Sequence, residues 1–396
     1  MKKINVEILR GENKIGENLI EVSDGKTKIL LECGEALEPS QRSEDIAKKV
    51  LKKHYDAVII THSHLDHSGM LKQNLDTKKI YTGETTHKIL KYLGVICTEN
   101  EEKIVEFKSE APFFVGDIEI SPHLCDHSAY DSYMIEIKRC NETILYTGDF
   151  RANGRKSFDL LLARLPQNID LLICESTNQD YNSKNEYFIE RVSTKIMEKY
   201  KRVFFFSSRT NVDRIVSFYK ASRKTGKDFI MSLPCAEVAE LCKGCPNPTY
   251  TSCYTYFGGS VNNDKYTNVR KQYGQALIGR EEIAKKQEFT MQIHASMKGY
   301  LEKLNDLSSL KGSVLIYSMW QGYKTEGIVR EMLEALNKMG VEVIDLHISG
   351  HASKNAQELL IKNIKPKNTI FVHKKGEEKW IILMRQENIK SKVHTK

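Results

Sequence analysis

The chain has 396 residues, of which 40% are hydrophobic and 28% charged, which allows two or three packed units and excludes wholesale disorder. Lys and Arg outnumber Asp and Glu by 60 to 52, a net charge of +8; this suits a polyanionic partner without deciding for one. No apolar run is long enough to span a bilayer, Met1-Lys2-Lys3-Ile4-Asn5 lacks the apolar core of a signal peptide, and nine cysteines, an odd number, fit reduced thiols, so a cytoplasmic location is expected.

In chain order, residues 1–180 read as many short strands with a few helices. Strands are expected at Lys28 to Glu32, Ala57 to Thr61, Ile118 to Ile120, Met134 to Ile137, Thr143 to Tyr146 and Leu171 to Cys174, with a helix at Glu44 to Lys53 capped by Ser43. From about residue 183 longer helices alternate with apolar strands. Ile189, Val192 and Ile196 mark a helical face, and the strand Val203 to Phe206 follows. Then come a helix near Val212 to Ser222, the strand Phe229 to Ser232 and a helix near Ala236 to Leu241. The strand Val314 to Tyr317, a helix near Glu326 to Lys338 and the strand Val341 to Ile344 complete the pattern. Such alternation predicts a mostly parallel sheet with helices packed on it. Gly244 to Gln275 reads as irregular.

The most informative stretch runs from Ala57 through His62-Ser63-His64-Leu65-Asp66-His67. A buried strand delivers three imidazoles and a carboxylate within six residues. Alternate residues of an extended segment share a side, so His62 and His64 can converge on one ion, while Asp66 and His67, on the following turn, can face a second. Imidazole with carboxylate is the donor mix of zinc or manganese hydrolase sites.

This His-x-His-x-Asp-His pattern resembles the signature of the metallo-β-lactamase superfamily. Asp126-His127-Ser128 and Thr147-Gly148-Asp149 resemble its later motifs. The resemblance implies that one metal takes His62, His64, His127 and the bridging Asp149, and a second takes Asp66, His67 and Asp149. Where relatives carry Asp in an early Leu-Leu-Asp-x-Gly segment, this chain has Leu30-Leu31-Glu32-Cys33-Gly34, which puts the tightness of the site in question. Further on, Cys174-Glu175-Ser176-Thr177-Asn178 is similar to motif A of the β-CASP nucleases, His347-Ile348-Ser349-Gly350-His351-Ala352 to motif B, and Phe371-Val372-His373 to motif C. Ser207 to Arg214 resembles the Ser-rich turn of their insert. The chain is therefore identified as a compact ribonuclease J-like protein; it ends too soon after His373 for an extra C-terminal domain.

The implied fold is α/β: a metallo-β-lactamase αββα sandwich (1–180 and 346–396) carrying an inserted α/β β-CASP domain (181–345). The implied activity is hydrolysis of RNA to 5′-phosphate and 3′-hydroxyl ends, exo- or endonucleolytic, by a hydroxide activated between two divalent ions, zinc or else manganese. His373 would complete the second metal site. Asp66, Glu175 and His351 would be catalytic, His351 as general acid, and Ser318, His347 and Ser349 would hold a terminal phosphate. Single-stranded RNA is the expected partner, with DNA and a homodimer left open. The alternatives are hydrolysis of a small ester, thioester or amide, or an inactive RNA-binding relative. Cys235, Cys242, Cys245 and Cys253 could hold a structural zinc or serve as small core residues. Tyr250, Tyr254, Tyr256 and Phe257, with Lys265 and Arg270, could contact bases and phosphates.

Overall fold

The computed structural model describes residues 3–38, 40–181, 184–242, 253–258, 264–325 and 327–374. The chain divides into two compact units, one formed by Met1–Ser183 with Gly350–Lys396 and the other by Lys184–Ser349.

In the first unit two sheets face each other. One orders β1 (Asn5–Arg10), β2 (Leu19–Ser23), β3 (Lys28–Leu31), β4 (Ala57–Ile59), β5 (Ile80–Gly83) and β6 (Ile104–Phe107); it is antiparallel up to β3 and parallel from there. The other orders the strand Asn368–Val372, then β11 (Leu171–Glu175), β10 (Glu142–Tyr146), β9 (Ser132–Arg139), β8 (Ile118–Cys125) and β7 (Phe113–Val115). Because side chains alternate across a strand, Ile29, Leu31 and Ile59 enter the core between the sheets, with Ile120, Ile137 and Ile144 from the other side. Leu30, Val58 and Ile60 turn the opposite way to pack with Val50 and Leu90 of the outer helices. The result is the α/β metallo-β-lactamase fold, helices outside two sheets. The helix expected at Glu44 starts earlier: it spans Gln41–Leu51, and Ser40 rather than Ser43 accepts the capping bond. An earlier serine with extended backbone gives the first turn its acceptor.

In the second unit one sheet is parallel throughout, in the order β15 (Leu277–Ile278), β14 (Cys253–Tyr256), β13 (Asp228–Ser232), β16 (Phe289–Ile293), β12 (Arg202–Phe206), β17 (Val314–Tyr317) and β18 (Glu342–Asp345). Val203 and Phe205 pack on one face, Phe204 and Phe206 on the other, as a sheet covered on both sides requires. The stretch read as irregular is partly regular: it contributes β14 and a helix, Asp264–Tyr273. Its Tyr- and Thr-rich composition fits a strand once neighbours cover it. Among the described residues no helix is long and apolar enough to cross a membrane.

Candidate metal centre and its surroundings

Beyond β4 the chain enters a short helix, Leu65–Ser68, with His64 at its N-cap. Backbone bonds clamp this turn onto the β3 exit and the start of β2: Cys33 N donates to His67 O at 2.8 Å, Glu35 N to Leu65 O at 2.9 Å and Asn18 N to Asp66 O at 3.0 Å. Gly34 is required there, since an added Cβ would lie 1.8 Å from Asp66 O. Gly148, at φ +51°, turns the end of β10 so that Asp149 points inward. Asp126 accepts from the buried Arg151 Nε at 2.6 Å and from Lys156 N at 2.7 Å, and so braces the loop that presents His127.

The donor atoms fall into overlapping groups, two of which hold the predicted ligands and share Asp149: His62, His64 and His127 with Asp149, and Asp66, His67 and His373 with Asp149. A third joins Asp149 and His373 to Glu175 and His351, a fourth joins Glu32 to His62 and His67, and within each all atoms lie within 4.8 Å. His127 Nε2 is 3.1 Å from His64 Nδ1, His67 Nε2 is 3.3 Å from Asp149 Oδ2, and His373 Nε2 is 3.0 Å from Asp66 Oδ2. Buried His62 Nε2 and Asp149 Oδ1 have no hydrogen-bond partner among the described residues, which is uncommon for buried polar atoms and fits groups that coordinate an ion. Four of the histidines have the other ring nitrogen engaged. His62 Nδ1 meets Thr61 Oγ1 at 2.9 Å, His67 Nδ1 meets Glu32 Oε1 at 3.2 Å, His127 Nδ1 meets Gly350 O at 2.7 Å, and His373 Nδ1 meets Thr177 Oγ1. Such outer contacts orient imidazoles toward a metal. The residues present therefore fit divalent cations.

Burial, followed by the neighbouring imidazoles, holds His62 and His127 well below the usual histidine range, in the neutral form that ligates. His67 differs: burial lowers it, but Asp149, Asp66 and Glu32 together lift it well above that range. A cation would replace the proton those carboxylates favour. Burial pushes Asp149 up, and His373, His67 and His351 more than reverse this, leaving it well below the carboxylate range.

Beside the centre, His351 Nδ1 is 3.4 Å from both Glu175 Oε1 and Asp149 Oδ2. Glu175 is fixed by three backbone donors, Phe150 N at 3.3 Å, Ala352 N at 3.0 Å and Thr177 N at 3.1 Å. Burial lowers His351, but Glu175 and Asp149 outweigh it and raise its pKa to about 9. Cations on Asp149 would leave Glu175 as its main anionic neighbour. The sequence reading missed Thr61 and Thr177, each a side-chain neighbour of a predicted ligand, and the Gly350 carbonyl; nothing in their local spacing marks such contacts.

In the second unit Ser318 and His347 lie against the buried Arg214, which pairs with Glu186, and Ser349 follows Ile348, whose carbonyl Arg214 also holds. Ser318 is buried, its hydroxyl accepting from Arg214 Nη1 and donating to Leu346 O at 2.6 Å. Arg214 Nη1 is 3.4 Å from His347 Nδ1, Nη2 donates to Ile348 O at 3.2 Å, and Glu186 Oε1 pairs with Nη2 at 3.1 Å. Ser318 thus braces this segment, while His347 is exposed and Ser349 half-buried. Cys235 and Cys253 sit in the apolar core and Cys242 is buried, whereas Cys245 and Tyr250 lie outside the described residues. Tyr256 packs in the core and is not available for stacking; Tyr254 and Phe257 are half-buried, and Lys265 and Arg270 are exposed.

Residues 27–188 match the family described as a beta-lactamase superfamily domain. The chain is 28% identical to Probable RNase MJ4 of Methanocaldococcus jannaschii over 48% of its length and 49% of that protein's. It is 23% identical to Ribonuclease J of Mycoplasma pneumoniae, over 93% of this chain and 67% of that one. An RNase J-like protein of Methanocaldococcus jannaschii is 23% identical, with 92% and 90% covered. The chain thus spans about half of the first relative and 67% of the second. Among solved structures, a protein of unknown function from Enterococcus faecalis V583 has the same fold, with a TM-score of 0.74 at 20% identity over 94% of each chain.

Proposed function

From a chain that belongs to the metallo-β-lactamase superfamily as a β-CASP, ribonuclease J-like member, we propose a metal-dependent ribonuclease that cleaves single-stranded RNA to 5′-phosphate and 3′-hydroxyl ends. The observation carrying this reading is the pair of donor groups joined at Asp149, with His351 and Glu175 against them. One ion would be held by His62, His64, His127 and Asp149, the other by Asp66, His67, His373 and Asp149; zinc suits the donors, and manganese is the alternative. When bound, the cations supply a water acidic enough to act as nucleophile near neutral pH and positive charge for the phosphoryl oxygens.

The chain's own residues do the rest. Asp66 and Asp149 keep the centre anionic enough to retain divalent ions. Glu175, immobilised by backbone donors, holds His351 protonated and oriented. As water adds to phosphorus and the bond to the 3′-oxygen breaks, the His351 proton passes to that oxygen. In the second unit, exposed His347 with half-buried Ser349 is the segment to receive a 5′-phosphate, with Arg214 and Ser318 fixing its backbone.

Turnover on 5′-monophosphorylated single-stranded RNA tests this, with the double variant Asp66→Ala, His67→Ala as control. Cleavage lost in the control supports the ribonuclease. Hydrolysis of small acyl esters with RNA left intact would assign the centre to the other substrate class, and RNA binding without turnover of either would make the chain a binding protein.

A further inference from the structure

All strand pairs of the second unit's sheet are parallel, so its strands end on one edge, where parallel sheets offer ligand crevices. Arg209 follows β12, His294 follows β16, Ser318 and Trp320 follow β17, and His347 follows β18. Tyr317 pairs with Asp345, which brings Ser318, two residues before Trp320, alongside His347, whose Nδ1 is 3.2 Å from Ser318 O. Arg209 is exposed, and the chain as a whole carries a net charge of +8, both favourable to a polyanion.

Trp320 is 62% exposed, yet its placement is built. A Cβ added at Gly322 would fall 2.1 Å from Trp320 Cζ3 and 2.2 Å from Cη2, so any larger residue there would push the six-membered ring out of its present position. Tyr323 meets the indole edge-on, with centroids 5.4 Å apart at 87°. The Trp320 carbonyl accepts from Tyr317 Oη at 3.1 Å and from Tyr323 N at 3.2 Å. The indole is thus backed by Gly322 and flanked by Tyr323, and most of the residue is still exposed. Core packing does not account for it.

We propose that the Trp320 indole, seated on Gly322, is a stacking platform for a nucleobase of single-stranded RNA, the base of the nucleotide whose 5′-phosphate is received by the His347 segment. This rests on the ribonuclease reading and adds a base-binding position to it. Stacking uses the π-face common to all bases, so the platform favours unpaired RNA without choosing a sequence.

The test is binding of a 5′-phosphorylated single-stranded RNA to the full chain carrying His351→Ala to slow cleavage. The chain has two tryptophans, Trp320 and Trp380, so Trp380→Phe leaves Trp320 as the only indole. Bound RNA should quench its fluorescence, and Trp320→Ala should weaken binding about tenfold, with Trp320→Phe restoring most of the loss. Gly322→Ala, which displaces the ring without removing it, should reproduce the weakening. An RNA whose 5′ nucleotide is abasic should bind the parent as weakly as Trp320→Ala binds the intact RNA, with no further loss on combination. Equal affinity of parent and Trp320→Ala, in a protein that does cleave RNA, overturns the platform alone. Quenching that follows protein concentration without RNA assigns the surface to a second copy and also overturns it. A parent chain that neither binds nor cleaves RNA removes the ribonuclease reading, and this inference with it.

Discussion

Glu32 occupies a left-handed backbone conformation, φ +62°, which costs a non-glycine residue on the order of 1–3 kcal/mol. The position is held by what its carboxylate receives: Thr61 Oγ1 at 2.5 Å, Thr61 N at 3.1 Å and His67 Nδ1 at 3.2 Å. The long glutamate side chain lets the carboxylate reach His67 from the end of β3. Glu32→Gln would place an amide where one of these donors now points, and divalent metal affinity should fall about 10- to 100-fold. Competition against a chelating dye measures it, and unchanged affinity would mean that something else orients His67. His351 belongs to the same scale. His351→Ala should slow RNA cleavage by roughly 10²- to 10⁴-fold while metal content by elemental analysis stays at the parent value. A substrate with a nitrophenolate leaving group, which needs no proton, should recover most of the rate. If it does not, His351 acts in some way other than as the acid.

At the scale of elements, the pairing of β8 with β9 carries an ionic clamp. His123, on β8, lies 3.1 Å from Glu110 Oε1 through Nδ1 and 2.9 Å from Glu136 Oε2, on β9, through Nε2. Burial lowers its pKa, but Glu136 and Glu110 prevail and raise it above the ordinary 6.5. A raised folded-state value means that the clamp's stabilisation is complete below pH 6.5 and fades as pH climbs through the folded-state value. His123→Gln should therefore destabilise the protein more at about pH 6 than at about pH 9. Urea unfolding of both proteins at the two pH values checks this; a larger gap at the alkaline value would refute it.

Across the whole molecule, each unit has its own apolar clusters and its own sheets, the condition for separate cooperative transitions. All the donors of the candidate centre come from the first unit. Calorimetry should resolve two transitions, and zinc or manganese at about a hundred times its Kd should stabilise the ligand-bearing unit by about 2.7 kcal/mol. A chelator should reverse that shift and leave the other transition where it is. Equal movement of both would show that the units unfold as one.

What the sequence alone determined is whatever is written at short range. Apolar strands such as Val203–Phe206 and Val314–Tyr317 show as continuous runs because both faces of their sheet are covered. His62, His64, Asp66 and His67 declare themselves because three imidazoles and a carboxylate stand within six residues, although the strand ends at Ile59 and a bend at His62 and Ser63, not a continued pleat, carries them into the following helix. The family was legible for the same reason, its motifs being short and in order. Tertiary structure alone decided which partners stand behind those atoms. Glu32 meets His67, the Gly350 carbonyl meets His127 and Thr177 meets His373 across long stretches of chain. It also decided that Ser318 is buried under Arg214 while Trp320, two residues on, is open. Burial and hydrogen bonding are set by neighbours from distant segments, and no local periodicity encodes who those neighbours are.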